Sequence, residues 1–343
     1  MNADDQRAYW LETAGLALAS VLLFRIGLLG LVFLVPIQLA WIRRGETAGL
    51  ISSGVAILGI AAIKGIDVLR LRSAAPGAEA AGLVFLDVVF VAGLLAGLFV
   101  MNSERVVIPI DGNTRRPPTV AERMIAATFV GAIVYGPTIA LVATGGGAEW
   151  LLATQIELLR PLLESAGATT DEIRLLVDII VAALLSGVLL GYFVMLVGNW
   201  WIGVQLAFRT SVRLPGGNPV MARHAEMSLT EFALPGYLVW ALIAAWSGVL
   251  ATVVLQAGWV AYLFWNAAFV TTALYAIQGI ALVWYFLDRY KAQRSMRLLT
   301  AVALIVGLLI PGLQLAIMLG LPGLGVSEIW VDYHRLKGSE EAQ

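Results

Sequence analysis

The side chains best suited to chemistry are a few charged groups inside long apolar segments. Asp87 lies within LVFLDVVFVAGLL, where an ionisable group is costly and usually has a function. It either contacts a substrate or ion or forms a structural pair with a basic residue. Asp178 follows Arg174 by one helical turn, and an ion pair between the two explains it. We expect Arg25 to extend to the membrane surface or to pair with a carboxylate such as Glu12 or Asp87.

A second set of candidates combines amides with aromatic side chains in the later segments. Aromatic surface with a few polar groups is what a small-molecule pocket requires. Amides in lipid also hold helices together, and both interpretations remain open. The candidate ligand-binding residues are Asp87, Asn266, Tyr275, Gln278, Trp240 and Trp284.

Composition and motifs argue against several classes of site. The chain has no cysteine, and its two histidines, His224 and His334, are far apart. This removes thiolate chemistry and makes a histidine metal cluster unexpected. No GxxxxGK[ST], HExxH or GxSxG motif occurs, and the net charge is −1. We therefore expect no enzymatic activity, no cofactor, no metal and no nucleic-acid partner.

The elements that position these groups are apolar helices. Of the 343 residues, 60% are hydrophobic and 13% are charged, far from the balance of soluble domains. Ile179–Val197 and Ala301–Leu321 contain no charge and are long enough to cross roughly 30 Å of hydrocarbon as helices. Backbone in lipid must form hydrogen bonds within its own segment, which favours helices. The predicted fold class is all-α, a polytopic transmembrane helical bundle of about 8–9 membrane segments.

The boundary between the first two segments is ambiguous, because Arg25 interrupts one apolar stretch. This stretch is too long for one straight span and short for two. It either forms two short helices or a re-entrant pair, or it counts as one span that is not straight. The apolar segments are Leu11–Phe24, Ile26–Trp41, Thr47–Ile63, Ala81–Met101, Ala121–Ala143, Leu175–Val197, Phe232–Leu255, Trp259–Phe286 and Leu298–Leu321.

The distribution of basic residues orients these segments. Most of the 22 lysines and arginines fall on the side that carries Arg43 and Arg44, which is therefore expected to face the cytoplasm. The cluster Lys64–Arg72 falls on the opposite side and is contrary to the rule. Arg335 and Lys337 are also expected there. The N-terminus lacks the features of a signal peptide. The expected location is the bacterial cytoplasmic (inner) membrane.

The loops divide the chain into three expected parts. These are an N-terminal membrane bundle at 1–143, an extracytoplasmic loop at 144–171 and a C-terminal membrane bundle at 172–343. The loop contains WLLATQIELLRPLLES, which predicts either a helix in the membrane interface or a cap over the bundle. The cytoplasmic loop Asn102–Ala121 has turn signals that suit either a small hairpin or a disordered basic loop.

The sequence resembles the YybS-like family of uncharacterised bacterial membrane proteins, in order along nearly the whole chain. The opening resembles the family's run of a small-residue helix, a segment with a proline and an Arg-Gly turn. FALPGYLVWALIAAW, ALYAIQGIALVWYFLDR and VSEIWVDYHRLK resemble its later motifs. The matching residues are Pro36, Arg44, Gly45, Ala48, Gly49, Phe232, Pro235, Trp240, Tyr275, Gln278, Gly279, Trp330, Asp332 and Arg335.

The N-terminal part of that family is similar to the S-components of energy-coupling-factor transporters, which bind vitamins or metal ions and dock on a transmembrane subunit with two ATPases. The resemblance implies substrate capture, with docking through Gly15 and Ala19, where the usual pattern has alanine at both positions. Arg43 and Arg44 are further candidates for partner contact. The segments after Ala143 make the chain longer than an S-component.

Two functional hypotheses follow. The first is a transport-related membrane protein that binds a small solute, without an ATPase of its own. The alternative is a membrane scaffold that recruits partners through its basic cytoplasmic loops. The expected partners are the lipid bilayer, a small-molecule solute and membrane-protein subunits.

Overall fold

The structure is a computed structural model that describes residues 3–74, 79–103, 105–111, 114–144, 165, 167, 169–211, 232–331 and 333. It divides into two compact units, Met1–Glu226 and Met227–Gln343. The described residues are helical except for one short hairpin and the turns, which confirms the predicted all-α membrane fold. Six described helical segments are long and apolar enough to cross a membrane: Gly27–Arg44, Glu46–Leu69, Asp171–Arg209, Leu238–Leu255, Val260–Arg289 and Leu313–Val331.

The described residues of the first unit form six α-helices, a 3₁₀ helix and a two-stranded hairpin. The elements are α1 (Ala3–Arg25), the 3₁₀ helix (Gly27–Val32), α2 (Leu34–Arg44), α3 (Glu46–Ala74), α4 (Glu79–Asn102), β1 (Ile108–Asp111), β2 (Thr114–Arg116), α5 (Val120–Thr144) and α6 (Thr170–Ser211).

The first two apolar segments form an antiparallel pair of helices, which excludes one continuous helix through Arg25. The chain turns after Arg25 and returns through the 3₁₀ helix and α2. At the other end of the pair, Glu12 of α1 accepts hydrogen bonds from Arg43 Nη1 at 3.2 Å and Arg44 Nε at 2.7 Å. Residues near the start of α1 and at the end of α2 therefore lie side by side. We call this the basic end of the unit.

Pro36 fixes the break between the 3₁₀ helix and α2. A proline inside a continuous helix would clash with the carbonyl four residues earlier, so it is accommodated in the first turn of α2. Asn199 of α6 satisfies the backbone at the break. Its Oδ1 accepts a hydrogen bond from the Leu34 N–H at 3.1 Å, and its Nδ2 donates to the Leu31 carbonyl at 2.7 Å. An amide thus supplies the partners that lipid cannot provide.

Helix α6 packs within the first unit, although residues from 172 onward were expected in a C-terminal bundle. The side chain of Tyr192 is fully buried. Its hydroxyl donates to the carbonyl oxygens of Gly93 at 3.2 Å and Ala127 at 3.0 Å. These contacts, together with those of Asn199, hold α6 against α2, α4 and α5. The expected segment 144–171 lies almost entirely outside the described residues.

The loop Asn102–Ala121 forms the hairpin that was one of its two expected structures. Strands β1 and β2 pair antiparallel, with Ile108 opposite Arg116. Arg116 Nη1 donates to Glu122 Oε2 at 2.8 Å and so ties β2 to the first turn of α5. Arg123 Nη1 then donates to the carbonyls of Val100 at 3.1 Å and Met101 at 3.2 Å in the last turn of α4, which satisfies groups that a helix end leaves open. It also donates to the carbonyl of Ser103, just after the helix, at 2.8 Å.

Between residues 232 and 331, the second unit contains four helices, one more than the three expected segments. They are α7 (Leu238–Leu255), α8 (Val260–Arg289), α9 (Arg294–Leu309) and α10 (Leu313–Val331). The expected segment Leu298–Leu321 is wrong as a single helix. Pro311 follows Ile310, which is extended at φ −94° and ψ 117°, as residues before proline prefer. Gly312 follows with φ +90°, a left-handed conformation that favours glycine.

The extra turn also changes the direction in which the last described helix runs. The Tyr285 hydroxyl donates to the Tyr333 carbonyl at 3.3 Å, and the rings of Phe286 and Tyr333 are 5.5 Å apart. Tyr333 therefore lies beside the last turns of α8, near the loop that carries basic residues. Arg335 and Lys337, which were expected on the opposite side, lie outside the described residues.

Candidate functional site

An open groove of about 340 Å³ lies where α1 ends, lined by Phe24, Arg25, Ile63, Lys64 and Asp67. Phe24 and Arg25 come from the last turn of α1, and the other three come from one stretch of α3. Lys64 and Asp67 share a helix face because they are three residues apart. The groove therefore has apolar walls and charged groups of both signs. Its volume is at the lower end of that of small-molecule sites.

A loose ion pair forms one side of this groove. Arg25 Nη1 lies 3.6 Å from Asp67 Oδ2, and the two side chains are 52% and 38% exposed. The distance exceeds that of a hydrogen bond, so both groups keep capacity to bind other partners. Arg25 pairs with a carboxylate, as one of the two expectations had it, but the partner is Asp67 and not Glu12 or Asp87. Glu12 is held by arginines at the basic end, whereas Arg25 lies at the opposite end of α1.

A tight ion pair forms the other side. Lys64 Nζ of α3 donates a hydrogen bond to Asp87 Oδ2 of α4, with the side chains 30% and 44% exposed. Lys64 Nζ also lies 5.8 Å from the centroid of the Phe24 ring, within the range of a cation–π contact. Asp87 thus reaches the groove through Lys64. The pair also neutralises Lys64, which was contrary to the positive-inside rule.

Sequence reasoning identified Asp87 but not Lys64 or Asp67. Both residues lie near the end of an expected segment, where charges usually face water. The available signal was the position of Lys64 on the side that should be poor in positive charge. A basic residue that violates the rule needs a compensating acid, and Asp87 was the ionisable group nearest in depth. The partner of Arg25 could not be identified because three acids were within reach.

Gln278 occupies a structural position in the second unit. Its Oε1 accepts a hydrogen bond from the Leu234 N–H at 3.0 Å, and its Nε2 donates to Glu328 Oε2 at 2.9 Å. Gln278 is 2% exposed and joins α8 to α10 and to the chain before α7. Tyr275, one turn earlier, is fully buried, and its hydroxyl has no hydrogen-bond partner among the described residues.

The other ligand candidates of the second unit lie apart from one another. Trp240 is 70% exposed near the start of α7. Asn266 is 1% exposed and donates to the Tyr262 carbonyl of its own helix at 2.7 Å. Trp284 is half-buried on α8. Trp240 is exposed, whereas Asn266 and Gln278 are buried and hydrogen-bonded within the unit, so the groove of the first unit is the stronger candidate site.

The candidate partner-binding residues fall into two groups. Gly15 is exposed, with open space where a side chain would lie, and Ala19 is partly exposed on the same helix. Arg43 and Arg44 instead bind Glu12 within the unit. An outward surface on α1 is therefore available for docking, while the two arginines stabilise the helix pair. Asp178 is exposed on α6.

No group of three histidine, aspartate or glutamate residues in the described part of the chain could hold a metal ion. At the groove, the carboxylates of Asp67 and Asp87 are paired with Arg25 and Lys64.

Comparison with known proteins supports the membrane assignment. Residues 220–322 match a family described as "Predicted membrane protein (DUF2232)". The match covers less than a third of the 343 residues and agrees with the resemblance to an uncharacterised membrane-protein family. It does not reach residues 1–143, on which the likeness to S-components rests. No curated protein and no solved structure matches the chain significantly.

Proposed function

We propose that this multi-pass helical membrane protein is transport-related and binds a small charged solute in the groove of its first unit. We place it in the bacterial cytoplasmic membrane and assign it no catalytic step. The observation that carries the proposal is the convergence of Arg25–Asp67 and Lys64–Asp87 beside one open cavity.

Ion pairs at the edge of an open cavity suit a binding role better than a purely structural one. Exposed pairs contribute little to stability because water and salt screen them. All four side chains are between 30% and 52% exposed, so a solute can reach them. A charged solute would replace one partner of a pair and gain the other as a ligand, while Phe24 and Ile63 contact its carbon skeleton.

Transport would require a further element, because the sequence has no ATP-binding motif. The exposed surface of α1 around Gly15 is a suitable place for an energy-coupling subunit, as the S-component resemblance implies. In the absence of such a subunit, movement of solute would depend on conformational exchange or on an ion gradient.

Native mass spectrometry of the protein, gently extracted from its own membranes, tests the proposal. We expect a small ligand to remain bound to the wild type and to be lost from Asp87→Asn and from the double variant Lys64→Met/Asp87→Leu. The double variant removes both charges at once, so neither charge is left without its partner. Asp288→Asn is the matched control, because its pair with Arg297 has side chains that are 41% and 43% exposed in the second unit. It should keep the ligand.

Retention of the ligand by both groove variants would refute the site. A stoichiometric protein partner with no small ligand would instead favour the scaffold hypothesis. The described arginines of the basic loop argue against that alternative, because Arg105 pairs with Glu46 at 3.0 Å and Arg116 binds Glu122.

A further inference from the structure

We infer that the groove recognises a ligand that presents an anionic group and an ammonium group together. This inference rests on the proposed function and specifies the class of solute. It follows from the way the four charged side chains at the groove are paired, since Lys64 and Asp87 are hydrogen-bonded whereas Arg25 and Asp67 are only loosely paired.

The anionic group would bind Arg25. Its guanidinium carries five N–H donors, and its pair with Asp67 spans 3.6 Å with the arginine side chain 52% exposed. Donors therefore remain for a carboxylate or a phosphate, the groups that a guanidinium binds in a bidentate manner.

The ammonium group would bind Asp67. Lys64, the other cation lining the groove, is already hydrogen-bonded to Asp87. Among the described side chains, the carboxylate of Asp67 has only its loose pair with Arg25, so it keeps lone pairs for an N–H donor. The tightly paired Lys64 and Asp87 thus bind each other. The loosely paired Arg25 and Asp67 form the binding sites for the ligand.

A ligand with both groups fits better than an ion of either sign. A simple anion on Arg25 would bring a second negative charge beside Asp67, and a simple cation on Asp67 would bring a second positive charge beside Arg25. Either approach of like charges carries a cost that a zwitterion avoids. Free amino acids and the headgroup of an aminophospholipid share this chemistry.

Equilibrium dialysis of delipidated protein in detergent with labelled 4-aminobutyrate, butyrate and butylamine tests the inference. The three probes have the same carbon chain and differ only in charge. We expect 4-aminobutyrate to bind at least roughly tenfold more tightly than either singly charged probe, and Arg25→Gln and Asp67→Asn to weaken it by a similar factor. The control variant Asp288→Asn should bind it like the wild type.

A lipid arm identifies the source of the ligand. The protein is reconstituted in nanodiscs of equimolar phosphatidylethanolamine and phosphatidylglycerol, and retained lipids are counted by native mass spectrometry. Selective retention of phosphatidylethanolamine that is lost in Arg25→Gln and in Asp67→Asn would support the same chemistry on a lipid headgroup.

Two results would overturn the inference. One is butyrate or butylamine binding as tightly as 4-aminobutyrate. The other is no charge-selective binding in either arm. If the protein extracted from its own membranes nevertheless carries a ligand that Asp87→Asn loses, the proposed solute site is supported. Only the inference that the ligand is a zwitterion is then refuted.

Discussion

Gly325→Ala is expected to lower the free energy of unfolding by about 3 kcal/mol, at the upper end of what overpacking costs. Gly325 of α10 packs against the backbone of α8. A Cβ atom built at this position collides with the carbonyl oxygen of Tyr275. Because the obstacle is backbone and not a flexible side chain, the two helices must separate to accommodate a methyl group. Small residues that let helices approach closely are common at membrane helix interfaces.

Two further variants make this test specific. Gly279→Ala should have a similar effect, since its Cβ would collide with the Leu321 carbonyl oxygen. Gly323→Ala is the control on the same helix, because no atom lies within 4 Å of its added Cβ. Its stability should stay within about 0.5 kcal/mol of the wild type or rise slightly, as alanine is the better helix former. Unfolding in a titration with denaturing detergent measures all three. Equal effects of Gly325→Ala and Gly323→Ala would contradict the proposed helix crossing.

Asn199→Leu is expected to destabilise the protein by about 3 kcal/mol, because it leaves buried polar groups unsatisfied. The amide of Asn199 serves the Leu34 N–H and the Leu31 carbonyl, both of which have lost helical partners at the break before α2. Leucine offers no hydrogen bond to either, and lipid offers none in its place. The break should then rearrange, which would also move Arg25 at the groove.

Thr128→Val provides the control for this polar-to-apolar change in the same unit. The Thr128 hydroxyl donates to the Met124 carbonyl of its own helix at 2.8 Å, and that carbonyl can keep its helical partner when the hydroxyl is lost. We expect a change of less than about 1 kcal/mol. Detergent unfolding compares the two variants. A loss of stability for Asn199→Leu no larger than that for Thr128→Val would show that the hydrogen bonds of Asn199 do not stabilise the break before α2.

The sequence predicted helices where apolar runs are long and uncharged, since lipid leaves the backbone little choice. It failed at short irregular features. The turn at Pro311 and Gly312 lies inside an apolar run, so hydropathy alone predicted one continuous helix there. The proline–glycine pair is itself a turn signal that could have predicted the break. Conversely, Arg25 suggested a boundary, and the structure shows a reversal there. The expected division of the chain placed α6 with later helices because hydropathy contains no information about packing partners.

The candidate site was only partly predictable for a similar reason. A charge within an apolar run stands out, which identified Asp87. Its partner lies on another helix, and only the pairing of α3 with α4 brings Lys64 to it. Gln278 was a candidate ligand residue, whereas its two hydrogen bonds tie it to Leu234 and Glu328 within the unit. The polar type of a side chain is visible in sequence, but the partner that satisfies it depends on the fold.

Cysteine labelling shows whether the groove is open to water and holds a solute. The chain has no cysteine, so Ile63→Cys places one thiol on the groove wall. Leu58→Cys is the control, on the same helix and 71% exposed, where we expect lipid to shield it from charged reagents.

In isolated membranes, a water-soluble maleimide should label Ile63→Cys but not Leu58→Cys. The small-molecule fraction of the host cells should slow the labelling of Ile63→Cys. Labelling of Ile63→Cys at the same rate with and without that fraction, or none at all, would contradict a solute-binding groove.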